Sequence, residues 1–159
     1  MRFAVLLLAS AFPLCAQFVR IEIDFQDTGC ASCIESLEGR LSRVRGVERV
    51  ELDAEHGRVT LHLAADNRIR LTPLLSRITQ DGTKIVRTSA ATRGTITAAQ
   101  EGHVLEFAGL GQSYALRFGE NVLKGEPQKG VIYEVEASVS GTEPGEVPVL
   151  TAGSISPQG

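Results

Sequence analysis

Between residues 18 and 45 the hydrophobic period changes from two to three-and-four. That change constrains the fold more than any other feature of the chain. Val19, Ile21, Ile23 and Phe25 alternate with Arg20, Glu22 and Asp24, the pattern of a strand with one buried face. Ile34, Leu37, Leu41 and Val44 then recur at spacings that place them on one face of a helix, with Glu35, Glu38 and Arg40 off that stripe. Glu35 and Glu38 are expected in the first turns, where they complement the helix dipole. The helix is expected to stop before Gly46.

The following residues extend the pattern. Val50 and Leu52 begin a second strand, Asp53 to Gly57 reads as a hairpin turn with Gly57 taking positive φ, and Val59, Leu61 and Leu63 form a third strand. Thr72-Pro73 predicts a helix start, Thr72 as N-cap and Pro73 as the first helical residue, with Leu74, Leu75 and Ile78 on the apolar face. Asp81-Gly82 stops it, and Lys84 to Arg87 supplies a fourth strand around Ile85 and Val86. The order is βαββαβ. Helices packed on one face of an antiparallel sheet in that order make the ferredoxin-like arrangement, expected over residues 18–90. That arrangement does not by itself state a function.

At the switch from strand to helix lies Asp27-Thr28-Gly29-Cys30-Ala31-Ser32-Cys33. Two cysteines this close make a poor structural staple, because the loop they close is too short to restrict the unfolded chain. Such a pair points to metal or redox chemistry. The stretch resembles the heavy-metal-associated domain, the small copper-chaperone and mercury-binding module. That family carries G-M-x-C-x-x-C in its first loop, where this chain has Asp27 to Cys33. Its P-G-V step after the first helix corresponds to Arg45-Gly46-Val47, and its D-x-x-x-G-x-V hairpin to Asp53 through Val59. The resemblance covers under half of the chain. It departs from the family at Asp27 and Thr28, which replace Gly and Met. It departs again at Thr83 and Lys84, near where family members often carry Tyr, Phe or Lys beside the metal. The resemblance implies that Cys30 and Cys33 are the metal ligands.

The chemistry of the pair agrees with that. Thiolates are the ligands, and Cys33 falls near a helix N-terminus, where unsatisfied N–H groups favour negative charge. Two soft thiolates without a third protein ligand suit Cu(I) or Hg(II). They suit Zn(II) less, since it prefers four ligands. An exposed pair leaves room for a partner's thiol, so the ion can be passed on by ligand exchange. Asp27 reads as a solvated loop residue, and Asp24 with Asp27 as solvated charges rather than an acid/base pair. His56, His62 and His103 do not converge on a site by spacing and are assigned no ligand role. No Ser/His/Asp arrangement or phosphate loop suggests an enzyme. A rival reading is thiol–disulfide redox, since C-x-x-C at a helix start also marks such sites.

Two further segments complete the expectation. Arg2 followed by the apolar run Phe3 to Leu14 reads as an export signal over residues 1–16, cleaved after Ala16, with lipidation at Cys15 the alternative. The run is too short to span a bilayer, so no transmembrane segment is expected in the mature chain. Ala90 to Gly94 looks like a boundary, and beyond it short alternating runs separated by glycines suggest a second, small all-β barrel domain over 92–156, OB-like in type. The tail from Gly153 is expected to be loose. The formal charge of −3 and the lack of a Lys/Arg run give no footprint for nucleic acid. The expectation is therefore an exported, periplasmic or secreted carrier of a soft metal ion, acting as chaperone or scavenger and handing the ion to a membrane metal transporter or a thiol protein. The alternatives are a periplasmic thiol redox protein and an envelope interaction module with a degenerate metal domain.

Overall fold

The computed structural model describes residues 17–26, 31–123 and 125–158. The export signal and Cys15 lie outside them, as do Asp27, Thr28, Gly29 and Cys30. The elements run β1 (Gln17–Gln26), α1 (Ala31–Ser42), β2 (Val47–Asp53), β3 (Arg58–Leu63), α2 (Leu71–Thr79) and β4 (Lys84–Ala99). Then follow β5 (Gly102–Phe107), β6 (Gln112–Phe118), β7 (Ile132–Ser140) and β8 (Val149–Pro157). The first six elements are the βαββαβ unit read from the sequence, with β1 between β3 and β4 and β2 outside β3. Ile21, Ile23 and Phe25 turn their side chains to the core, where Leu37 and Leu41 of α1 and Leu74, Leu75 and Ile78 of α2 meet them. Gly57 has φ +60, as the hairpin requires, and its carbonyl accepts the Phe25 N–H at 2.7 Å.

The second helix starts one residue before the expected cap. Arg70 holds the N-cap position without a side-chain bond, and Leu71 is the first helical residue. Leu71 is fully buried and its N–H reaches the Tyr114 hydroxyl at 3.3 Å, so core burial and a distant tyrosine, not a Thr cap, settle that end. Pro73 still sits in the first turn, where its missing N–H costs nothing.

The expected small barrel domain is not what the C-terminal half forms. β4 is a single strand of 16 residues, and Ala90 to Gly94 lies in its middle. Its first part pairs with β1, Thr88 to Thr95 pair with β7, and Thr95 to Ala99 pair with β5. The strands join in one eight-stranded sheet of order β2-β3-β1-β4-β5-β6-β8-β7, with β7 also bonded to β4. A single core cluster runs from Phe18 to Ala152. The tail is not loose either. β8 extends to Pro157 and pairs with β7 as far as Tyr133, and the Gln158 N–H donates to the Ile132 carbonyl at 2.8 Å.

On the sheet face away from the helices, the alternation of β1 presents its charges. Asp24 stands opposite Arg58 of β3 and Arg87 of β4 in register. Its carboxylate accepts from Arg58 at 2.7 and 3.3 Å and from Arg87 at 3.0 and 2.7 Å. The Arg58 hydrogen bond, with help from Arg87, holds the Asp24 carboxyl below its ordinary value of 3.8 against the opposing pull of partial burial. A depressed folded value means that this stabilisation is complete above 3.8 and is lost as the pH falls through the lower, folded value. Asp24→Asn is therefore expected to lower the urea midpoint at neutral pH, and the gap to the parent should close once the pH has fallen below the lowered folded value. An unchanged gap at low pH would show that the carboxylate charge is not what matters.

Candidate metal centre

The predicted loop sits where β1 ends at Gln26 and α1 begins at Ala31. Of the expected ligand pair, Cys33 is described and Cys30 is not. Cys33 lies in the first turn of α1, half-buried, and is engaged in a disulfide. Its carbonyl accepts the Ser36 hydroxyl at 2.8 Å.

Because α1 starts at Ala31, the expected acidic residues miss the first turn. Glu35 begins the next turn and Glu38 lies further along, so no acidic side chain occupies the first turn. The positive end of the macrodipole is left uncompensated by the helix itself, in the turn that carries Cys33. That favours an anion there, and a reduced Cys33 sulfur is the group in place.

The α2–β4 turn flanks the same end, since Gln26 pairs with Lys84. Here Asp81 organises the turn. It accepts the Thr83 N–H at 3.1 Å and the Thr83 hydroxyl at 2.6 Å, and pairs with Arg40 of α1 at 2.6 Å. Burial opposes ionisation of Asp81 most strongly, but the Thr83 and Arg40 bonds outweigh it and leave the carboxyl below its ordinary value. Thr83 is buried, with its hydroxyl committed to Asp81. The position that bears an aromatic or Lys in the resembling family is thus a structural brace here, with Lys84 exposed beside it. Sequence spacing gave no sign of Arg40 bonding Asp81, because the two residues lie on different elements.

The histidines do not gather. His56 is held by Asp53 at 2.8 Å in the hairpin. His62 lies between Arg49 at 3.1 Å and Glu51 at 3.3 Å on the sheet face. The His103 ring packs edge-on against Phe118 at 5.0 Å. Asp24 is taken up by Arg58 and Arg87, so it does not pair with a second carboxylate among the described residues. Among those residues no group of three or more His, Cys, Asp or Glu is placed to hold a metal ion. None of the described helices is long and apolar enough to cross a membrane.

Comparison with known proteins adds a family. Residues 22–82 match the profile of the heavy-metal-associated domain. Among solved structures, the solution structure of the yeast copper transporter domain Ccc2a in the apo and Cu(I)-loaded states matches at 15% identity. That match covers 43% of this chain and 96% of that one with a TM-score of 0.37, too loose a likeness to support any inference. No curated protein matches the chain. The N-terminal part of the chain thus contains a heavy-metal-associated domain.

Proposed function

We propose that the chain is an exported carrier of a soft metal ion, Cu(I) or Hg(II), held between Cys30 and Cys33 and passed to a thiol-bearing partner or a membrane metal transporter. The observation that carries this reading is the position of Cys33. It sits in the first turn of α1, directly after the β1–α1 loop, inside the stretch that matches the heavy-metal-associated profile. Two thiolates without further protein ligands suit a low-coordinate soft ion, whereas Zn(II) prefers four ligands. The disulfide at Cys33 favours a second reading, a thiol–disulfide redox protein.

One titration separates them. The reduced chain is titrated with Cu(I), Hg(II) and Zn(II) against a competing chelator, beside a Cys30→Ser/Cys33→Ser variant. Cu(I) or Hg(II) is expected to bind stoichiometrically and Zn(II) weakly, and the variant should bind none above background. Retention of affinity in the variant rules out the site. Thiol-dependent turnover of a disulfide substrate without metal binding would establish the redox reading in its place.

A further inference from the structure

The arginines of this chain fall into two kinds. Arg20, Arg40, Arg49, Arg58, Arg87 and Arg93 each pair with a carboxylate. Arg43, Arg45, Arg68, Arg70, Arg77 and Arg117 have no carboxylate partner among the described residues, and four of these, Arg45, Arg68, Arg70 and Arg77, are gathered in one place. They line two adjoining grooves at the end of the sheet where α1 leads into β2 and β3 leads into α2.

The larger groove, of about 690 Å³, runs between Arg45 to Val47 on one wall and Asp66 to Arg68 on the other. The smaller, of about 270 Å³, continues over Val44, Ile69 and Leu74 to Arg70 and Arg77. Arg45 and Arg68 belong to both. This end is remote from Cys33. The Gln17 side chain at the start of β1 bonds the Ala65 carbonyl, whereas the cysteine loop follows Gln26 at the other end of that strand.

The walls are held in place. Asn67 is buried, and its side-chain amide donates to the carbonyls of Phe18 at 2.8 Å and Ala64 at 2.6 Å, while its oxygen accepts the Ile69 N–H at 3.2 Å. Gly46, at φ +96, lies so close to this loop that a Cβ there would stand 2.8 Å from the Asn67 Cβ. Arg45, Arg68 and Arg70 stand on or beside these pinned turns and Arg77 on α2, all four exposed, with Val44, Ile69 and Leu74 between them in the smaller groove. Planar guanidinium forks match the oxygens of phosphate and carboxylate.

Charge decides between those. The carboxylate lining the grooves among the described residues is Asp66, which leaves a marked positive excess in a chain of formal charge −3. A phosphate group, carrying about −1.5 to −2 at neutral pH, compensates that excess better than a single carboxylate. The larger volume falls in the range of about 300–1,000 Å³ usual for small-molecule sites, so there is room for more than a bare ion.

We propose that this groove binds a phosphate group, carried either by a small organic molecule or by the headgroup of an anionic phospholipid. The site does not depend on the cysteines, and the Cys30→Ser/Cys33→Ser variant should keep it in full.

The test uses the full reduced chain. Pyrophosphate and inorganic phosphate are titrated by calorimetry at low and high salt. Vesicles of phosphatidylglycerol in phosphatidylcholine are co-sedimented beside phosphatidylcholine alone. Saturable pyrophosphate binding points to a soluble phosphate compound, and binding to the anionic vesicles alone points to a lipid headgroup. In either case Arg45→Gln/Arg68→Gln is expected to weaken binding about tenfold or more. Asp66→Asn should tighten it, and Arg117→Gln, an exposed arginine on β6 away from the groove, should leave it unchanged. Thermal melts accompany every variant, and Arg77→Gln, a single change on α2, repeats the test if the double variant melts early. The proposal is overturned if neither probe binds, if Arg117→Gln weakens binding as much as the groove variants do, or if an oligoglutamate peptide binds more tightly than pyrophosphate.

Discussion

Phe18→Ala is expected to destabilise the chain by about 3–5 kcal/mol, the usual cost of deleting a fully buried phenyl ring. The loss should be felt equally at both ends of the sheet. Phe18 has no exposed surface. Its ring meets Phe107 of β5 edge-on at 4.9 Å and Tyr114 of β6 at 5.3 Å, and those two rings lie 5.6 Å apart. The Tyr114 hydroxyl in turn takes the Leu71 N–H, so the cluster ties β1, β5, β6 and the start of α2 together. A cavity there has walls on several elements and cannot be closed by a shift of one. Hydrogen exchange checks this: protection should fall together in β3 and in β7–β8 when Phe18 is removed. Loss confined to β1–β3, with β7 and β8 protected as before, would mean that the two halves unfold independently and that the shared core contributes little to joining them.

The physical reason the shared strand was illegible lies in β4. Residues 90–94, Ala-Ala-Thr-Arg-Gly, have no apolar alternation and read as a boundary. Yet Thr88, Ala90, Ala91 and Thr92 are buried. Backbone pairing to β1 on one edge and β7 on the other covers them, and neighbours packed that closely favour small side chains over large apolar ones. The half of β8 beyond Ala152 reads as a loose tail for a related reason. Gly153-Ser154-Ile155-Ser156 looks like a polar tail, but its backbone is satisfied by β7. By contrast β1 and α1 were legible because each buries one face, and a one-sided environment writes its period into the sequence: Ile21, Ile23 and Phe25 on one, Leu37 and Leu41 on the other.

The candidate site divides in the same way. The cysteine spacing and its place between strand and helix are local, and the sequence displays them. The brace of Arg40, Asp81 and Thr83, and the convergence of Arg45, Arg68, Arg70 and Arg77 on one end, are products of chain reversal and leave no periodic trace. The charge ladder of Asp24 with Arg58 and Arg87 is intermediate: alternation puts Asp24 on the outer face, but only the strand register names its partners.

The disulfide at Cys33 leads to the sharpest expected result. A sulfur bonded to another sulfur has no thiolate to offer, and soft-metal binding at this loop requires thiolates. The oxidised chain should therefore take up no Cu(I) in a chelator competition, and reduction should restore about one equivalent per chain. Binding should also run the other way. With the metal in place, the thiols should react with a thiol reagent far more slowly, and reoxidation in air should be suppressed, because the metal and the sulfur–sulfur bond compete for the same atoms. The Cys30→Ser/Cys33→Ser variant should behave as the oxidised chain does, whatever the reductant present. Equal Cu(I) uptake by oxidised and reduced chains would place the metal elsewhere. Protection of the thiols by Cu(I) at stoichiometric amounts would instead tie uptake to the redox state of the loop, so that whatever reduces the disulfide at Cys33 also decides when the chain can be loaded.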